Sequence, residues 1–216
     1  MADLYDDLYR ILKPRRTQAE DILQRLGFES TACGLSIHSE GEWIRGGAET
    51  FVRMFALKAG EEIRQFIMKA CTPFSPALPI DKVLTKWFSR RELLSSSGCV
   101  VPHVYGIGDG VWIEDFIPHR LGDVIEQLWA PGLREDLATF ADALQRHRFD
   151  AISPFSDLRS DGRRAVIIDF GEDLGDPNCL AVAPDYKTPL INWLRRFRVD
   201  WDSFPAISLD PLFDRG

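Results

Sequence analysis

Three residues of this chain have the types and the order that phosphoryl transfer from a nucleoside triphosphate needs. Lys69 lies near the end of the run FIMKA, Glu92 falls in SRRELL on the helical stretch that follows, and Asp169 closes AVIID just before Phe170 and Gly171. That chemistry asks for a cation on the phosphates, an acid to hold its side chain, a carboxylate for magnesium and a base near the acceptor. A lysine leaving a buried strand can reach outward while its stem stays packed. At Asp169 an aliphatic strand stops on a metal-competent carboxylate, and the glycine after it permits a sharp turn. Each has a plainer alternative when taken singly: Lys69 a solvated strand residue, Glu92 part of a charged helix face, the Asp-Phe-Gly triplet a chance occurrence. Their order is what joins them.

The elements that must position these residues are legible in outline. Apolar residues at Leu4, Leu8, Ile11 and Leu12, then Ile22, Leu23 and Leu26, predict two short helices broken at Pro14, the second opened by a Thr17/Glu20 capping box. TACGLSI, TFVRMFAL and IRQFIMKA, rich in β-branched and aromatic residues and separated by turns, predict an antiparallel meander. Beyond the proline-rich TPFSPALP, the spacing of Val83, Leu84, Trp87, Phe88, Leu93 and Leu94 predicts a helix, followed by a hairpin of HVYGIG and VWIEDFI turning at GDG. Helices over 121–129 and 133–146, a loop, the strand AVIIDF and a last helix in TPLINWLRRFRV complete the order. The expected class is α+β, with an N-terminal helical segment at 1–28, a small β-rich lobe at 29–117 and a reduced helical lobe at 118–216.

Composition narrows the function classes. The 216 residues carry 26 Lys plus Arg against 33 Asp plus Glu, a formal charge of -7, which disfavours a broad electrostatic hold on nucleic acid. No apolar run approaches the roughly 18 residues of a membrane span, and the opening MADLYDDLYR has acids where a signal peptide has positive charge, so a cytoplasmic protein is expected. Cys33, Cys71, Cys99 and Cys179 form no Cys-x-x-Cys pair, which argues against a structural zinc site and a disulfide framework.

From GGAETFVRMF through REL and GCVVPHVYGIGDGVWIEDFIP to IIDFG, the chain resembles the protein-kinase-like superfamily. The likeness is to aminoglycoside phosphotransferases and to small atypical kinases of the RIO type and of the tRNA threonylcarbamoylation complex. The resemblance implies a bilobal kinase-like fold, ATP and magnesium as cofactors, and Asp169 as a metal ligand. It also implies Lys69 on the phosphates with Glu92 holding it, Gly46 and Gly47 as the nucleotide loop, and backbone groups of Glu114 and Phe116 at an adenine edge. The departure lies in RHRFDAISPFSDLRSDG, where the family has His-x-Asp with an Asn five residues after the Asp. Here two residues instead of one separate His147 from Asp150, and five beyond Asp150 stands Phe155. With about two inserted residues Asp150 takes the base's place and Asp157 the metal-binding asparagine's, although counting back from Asp169 admits Ser156 as well. A turn acid at Asp150 and a helix cap at His147 are the alternatives, and a chain that lost the base would be a nucleotide-binding pseudokinase. The short stretch after Gly171 leaves little room for a peptide-docking platform, so the expected acceptor is a small hydroxylated molecule or a single dedicated protein.

Overall fold

The computed structural model of the chain describes residues 35–42, 44–45, 50–71, 80–108 and 110–201. The expected N-terminal helices, the Gly46-Gly47 loop and the proline-rich connection lie outside the described residues. Nine strands and four α-helices are defined among the rest: β1 Leu35–Glu40, β2 Ile44–Arg45, β3 Thr50–Ala59, β4 Glu62–Cys71, α1 Ile80–Ser96, β5 Val104–Gly108, β6 Val111–Asp115, β7 His119–Arg120, α2 Leu121–Leu128, α3 Pro131–Arg146, β8 Leu158–Ser160, β9 Ala165–Ile167 and α4 Lys187–Arg196. The fold class is α+β, sheet-rich in its first part and mainly helical after it. The chain divides into two compact units, the first running to Leu84 and taking in His103–Phe116, the second made of Thr85–Pro102 and the chain from Ile117 on. Among the described residues no helix is long and apolar enough to cross a membrane.

The first unit is built on an antiparallel sheet of order β1-β3-β4-β6-β5, with β2 added to β3. Alternation along β4 sends Phe66, Met68 and Ala70 to one face and Ile67, Lys69 and Cys71 to the other. Phe66 pairs directly with Phe55 of β3, their rings stacked at 5.6 Å, and Leu57, Met68, Val111 and Ile113 complete this apolar layer. Gly108 and Val111 are the last pair of the β5–β6 hairpin, and Gly110 holds the positive φ of 85° that a two-residue turn requires.

In the second unit α3 supplies the core. Leu133, Leu137, Phe140, Ala141 and Leu144, at helical spacing, are all 2% exposed or less, and Pro131 sits in the first turn, where a missing N–H costs nothing. The three-stranded sheet β7-β8-β9 packs beside it, in a stretch where the sequence pattern gave a loop before the strand AVIIDF. Strands of two or three residues, such as β2, β7 and β8, are too short to display a period.

A carboxylate ties the helix to the sheet. Asp136 on α3 accepts from the Arg164 guanidinium at 2.6–3.0 Å and from the Ala165 N–H at 3.0 Å, which fixes the start of β9. Removing that carboxylate leaves a buried N–H without its acceptor. Asp136→Ala is therefore expected to destabilise by about 1–3 kcal/mol in urea unfolding. Arg164→Ala leaves the 6%-exposed Asp136 carboxylate with the Ala165 N–H but no cation, and should cost about 1–3 kcal/mol as well.

Candidate functional site

In the first unit Lys69 stands mid-sheet, paired with Val52 of β3 on one side and Trp112 of β6 on the other. Its Nζ meets Glu114 Oε1 at 2.7 Å, with the side chains 8% and 2% exposed, and Trp112 Nε1 donates to Glu114 Oε2 at 3.0 Å. Glu114 reaches the lysine because residues two apart on β6 share a face with the partner of Lys69. The carboxylate that meets Lys69 thus comes from the neighbouring strand, whereas Glu92, expected in that role, is an exposed residue of α1 in the second unit. Glu114 lies inside the ladder, paired with Ile67 and Val104, and Phe116 follows just beyond the strand end.

Asp169 lies two residues past the end of β9, in a turn of its own making: its Oδ1 accepts from the Gly171 N–H at 2.9 Å. Phe170 is fully buried and stacks edge-on against Trp87 of α1 at 4.8 Å. One turn further along α1, Arg90 is 3% exposed and donates through Nη1 to the carbonyls of Phe170 and Gly171, at 2.9 and 2.8 Å, and through Nη2 to Asp176 Oδ1 at 2.7 Å. Lys86 takes the other Asp176 oxygen at 3.0 Å. Burial pushes the Asp176 carboxyl up, but the hydrogen bonds and charges of Lys86 and Arg90 outweigh it and leave the group below the usual carboxylate range.

The loop after α3 is anchored by the chain that follows Asp169. Asn178 N–H donates to His147 O at 2.7 Å, Ile152 N–H to Asp173 O at 3.1 Å, and the Tyr186 hydroxyl to Phe149 O at 2.8 Å. Asp150 itself accepts from the Asp176 N–H at 2.8 Å and lies against Gly175, whose φ of 73° and missing side chain make the approach possible. Phe155, five beyond Asp150, is a core residue packed on Phe140 and Trp193. The β8–β9 ladder ends on the pair Leu158–Ile167, with Asp157 directly before it on one strand and Asp169 two residues beyond it on the other. Asp157 accepts from the Ser156 hydroxyl at 3.0 Å. His147 Nε2 lies 2.9 Å from the Ser97 hydroxyl, and burial, aided by the Arg146 cation, lowers its pKa.

Several acids of this unit fall into two kinds. Asp136, Asp142 and Asp176 are each paired with an arginine: Arg164, Arg146 and Arg90. Asp150, Asp157 and Asp169, like Asp161 and Asp185, are oriented by N–H or hydroxyl donors and, among the described residues, are in no ion pair with a lysine or arginine. No group of three or more His, Cys, Asp or Glu side chains among the described residues could hold a metal ion by itself. Two carboxylates are enough for a magnesium ion that takes its other oxygens from phosphate and water. Arg90 was detectable in the sequence as a charge at helical spacing between Trp87 and Leu94, on the apolar face of α1; the Glu114 side-chain role and the Asp176 bridge left no such mark. Cys99 is buried, and burial together with Asp136 and Asp142 pushes its thiol up to about 12, which makes it an inert packing residue.

No family model matches the chain, and no curated protein matches its sequence. Among solved structures the chain is similar, over 87% of its length and 85% of the other, to the streptomycin–ATP–APH(2″)-IIa ternary complex, at 13% identity and a TM-score of 0.35.

Proposed function

We propose that the chain is a kinase-like phosphotransferase that uses ATP and magnesium, acting on a small hydroxylated molecule or a dedicated protein partner. The observation that carries this reading is that the Leu158–Ile167 pair brings Asp157 and Asp169 to the same end of the β8–β9 ladder, where they, with Asp150 on the preceding loop, are oriented by N–H or hydroxyl donors and, among the described residues, are in no ion pair. Acids arranged in that way suit an incoming cation. The order of Lys69 and Asp169 along the chain, and the residues around them, supply the kinase-like part of the reading. With its free cysteines, such a protein fits the cytoplasm, where ATP is made and thiols stay reduced.

In this reading Lys69 contacts the nucleotide phosphates, and Glu114, rather than Glu92, fixes the direction of its ammonium. Asp169 and Asp157 hold magnesium jointly with phosphate oxygens. Bound magnesium neutralises the charge on the phosphates. Asp150 orients the acceptor hydroxyl and takes its proton at the carboxylate, in the position that the Asp176 N–H and Gly175 define. The backbone just beyond β6, at Phe116, offers hydrogen-bonding groups to an adenine edge, whereas those of Glu114 are taken up in the ladder, and Gly46 and Gly47 offer the N–H groups of a phosphate loop. Positioning and electrostatics supply most of the rate in such chemistry.

Calorimetric titration with ATP, with and without magnesium, tests the reading on the full chain. Binding is expected to strengthen with magnesium, and Asp169→Ala should abolish that gain. A wild-type protein that binds ATP under neither condition would refute the function.

Lys69 requires a paired design. Lys69→Met alone strands a buried Glu114 carboxylate and is expected to cost about 3–5 kcal/mol of stability, which would confuse lost binding with unfolding. Lys69→Met combined with Glu114→Gln keeps an acceptor for the Trp112 N–H and removes the uncompensated charge. The double variant should recover most of the stability in thermal unfolding and none of the ATP binding.

Asp150→Asn separates enzyme from binding module. In an enzyme the variant keeps magnesium-dependent ATP binding and loses turnover by about 10²–10⁴-fold. A protein whose ATP turnover is absent in the wild type, with binding intact, is instead a pseudokinase acting through a partner.

A further inference from the structure

Arg90 is a guanidinium spent almost entirely on backbone. It is 3% exposed, and its Nη1 donates to two successive carbonyls, Phe170 O and Gly171 O, on the residues directly after Asp169. A buried arginine is costly, and its charge is met here by one carboxylate, Asp176, which is itself 40% exposed and shared with Lys86. Among the described residues the arginine's buried Nε has no partner, so the side chain is placed to serve the carbonyls and Asp176, not to satisfy every one of its own donors. A packed apolar residue at this position would avoid both costs. What the arginine adds is geometry: a planar fork joins α1, the turn of Asp169 and the segment at Asp176, whose N–H in turn holds Asp150.

We propose that Arg90 is a positioning residue for the metal-binding carboxylate, locking the Asp169 turn through the Phe170 and Gly171 carbonyls, with Asp176 as the counter-ion that carries the same lock to Asp150. The inference rests on the proposed function and extends it, since it assigns to α1 a cation acting on the Asp169 turn. The Phe170–Gly171 peptide donates its N–H to Asp169 Oδ1 while its carbonyl, Phe170 O, accepts from Arg90, so rotation of that peptide would break both bonds at once. Partners that orient a metal ligand without touching the metal typically change metal affinity by about 10–100-fold when removed.

The test is ATP titration with magnesium and with magnesium chelated, on the wild type, Arg90→Lys, Asp176→Asn and Asp169→Ala. A lysine keeps the charge but lacks the fork, so Arg90→Lys should reduce the gain in ATP affinity given by magnesium by about 10–100-fold, while the metal-free affinity stays unchanged. Asp176→Asn, at a half-exposed position that tolerates the change, should act in the same direction and carries the test if Arg90→Lys does not fold. Placed on top of Asp169→Ala, Arg90→Lys should have no further effect on the magnesium gain. Variants that lose thermal stability but keep the full magnesium gain would make Arg90 a packing residue and overturn the inference while leaving the proposed function standing. A wild type whose ATP affinity is indifferent to magnesium would overturn the function, and the positioning role with it.

Discussion

Charge taken out of water has to be met, and that constraint organises both units of this protein. In the first, a lysine in the middle of a sheet is tolerable because a glutamate two residues along the adjacent strand lies on the same face, and because an indole N–H takes the second carboxylate oxygen. In the second, an arginine on the apolar face of α1 is tolerable because two carbonyls and an aspartate converge on it. Neither arrangement is an economical way to gain stability. Both fix the direction of a charged group to within a hydrogen bond, and that is a property a phosphate- or metal-binding group needs more than a core does.

The pattern of elements was largely readable because it rests on local rules. β-branched and aromatic content between turn residues in TFVRMFAL and IRQFIMKA, helical spacing at Leu133, Leu137, Phe140, Ala141 and Leu144, and a glycine at the β5–β6 turn need no tertiary information. The polar partners were less readable, since a salt bridge across two strands depends on register. Lys69 and Glu114 are far apart in sequence and come together only because Lys69 pairs with Trp112, and nothing in a linear reading fixes that pairing. Glu92 was attractive for Lys69 on order alone, and order does not report which face of a helix a residue occupies. On α1 the residue between Trp87 and Leu94 on the buried face is Arg90, and Glu92 points to water.

The stretch 147–157 was the most ambiguous in sequence, and its folding shows why. A residue count assumes a loop of constant path, but here the path is set by three tethers from later in the chain, at Asp173, Asn178 and Tyr186. Phe155, which a fixed count places at a polar position, is drawn into the core by Phe140 and Trp193, and the chain re-emerges at Ser156 and Asp157 before β8 begins. Asp150 keeps a defined place because its contacts are to the Asp176 N–H and to Gly175, both in the segment that follows Asp169.

A consequence follows for how such a protein is controlled, given the proposed function. Where a lysine depends on a carboxylate delivered by a mobile helix, moving the helix switches the lysine on and off. Here the carboxylate meeting Lys69 is carried by β6, the strand hydrogen-bonded directly to the lysine's own, so the pair forms whenever the sheet forms. Helix α1 is engaged instead, through Arg90, by the turn that bears Asp169, and from Thr85 on it belongs to the same compact unit as that turn. Each charged group is therefore set by partners folded with it, and neither waits for an activating movement of α1. In the proposed reading, neither the Lys69–Glu114 pair nor the Asp169 turn needs a separate activating step to form.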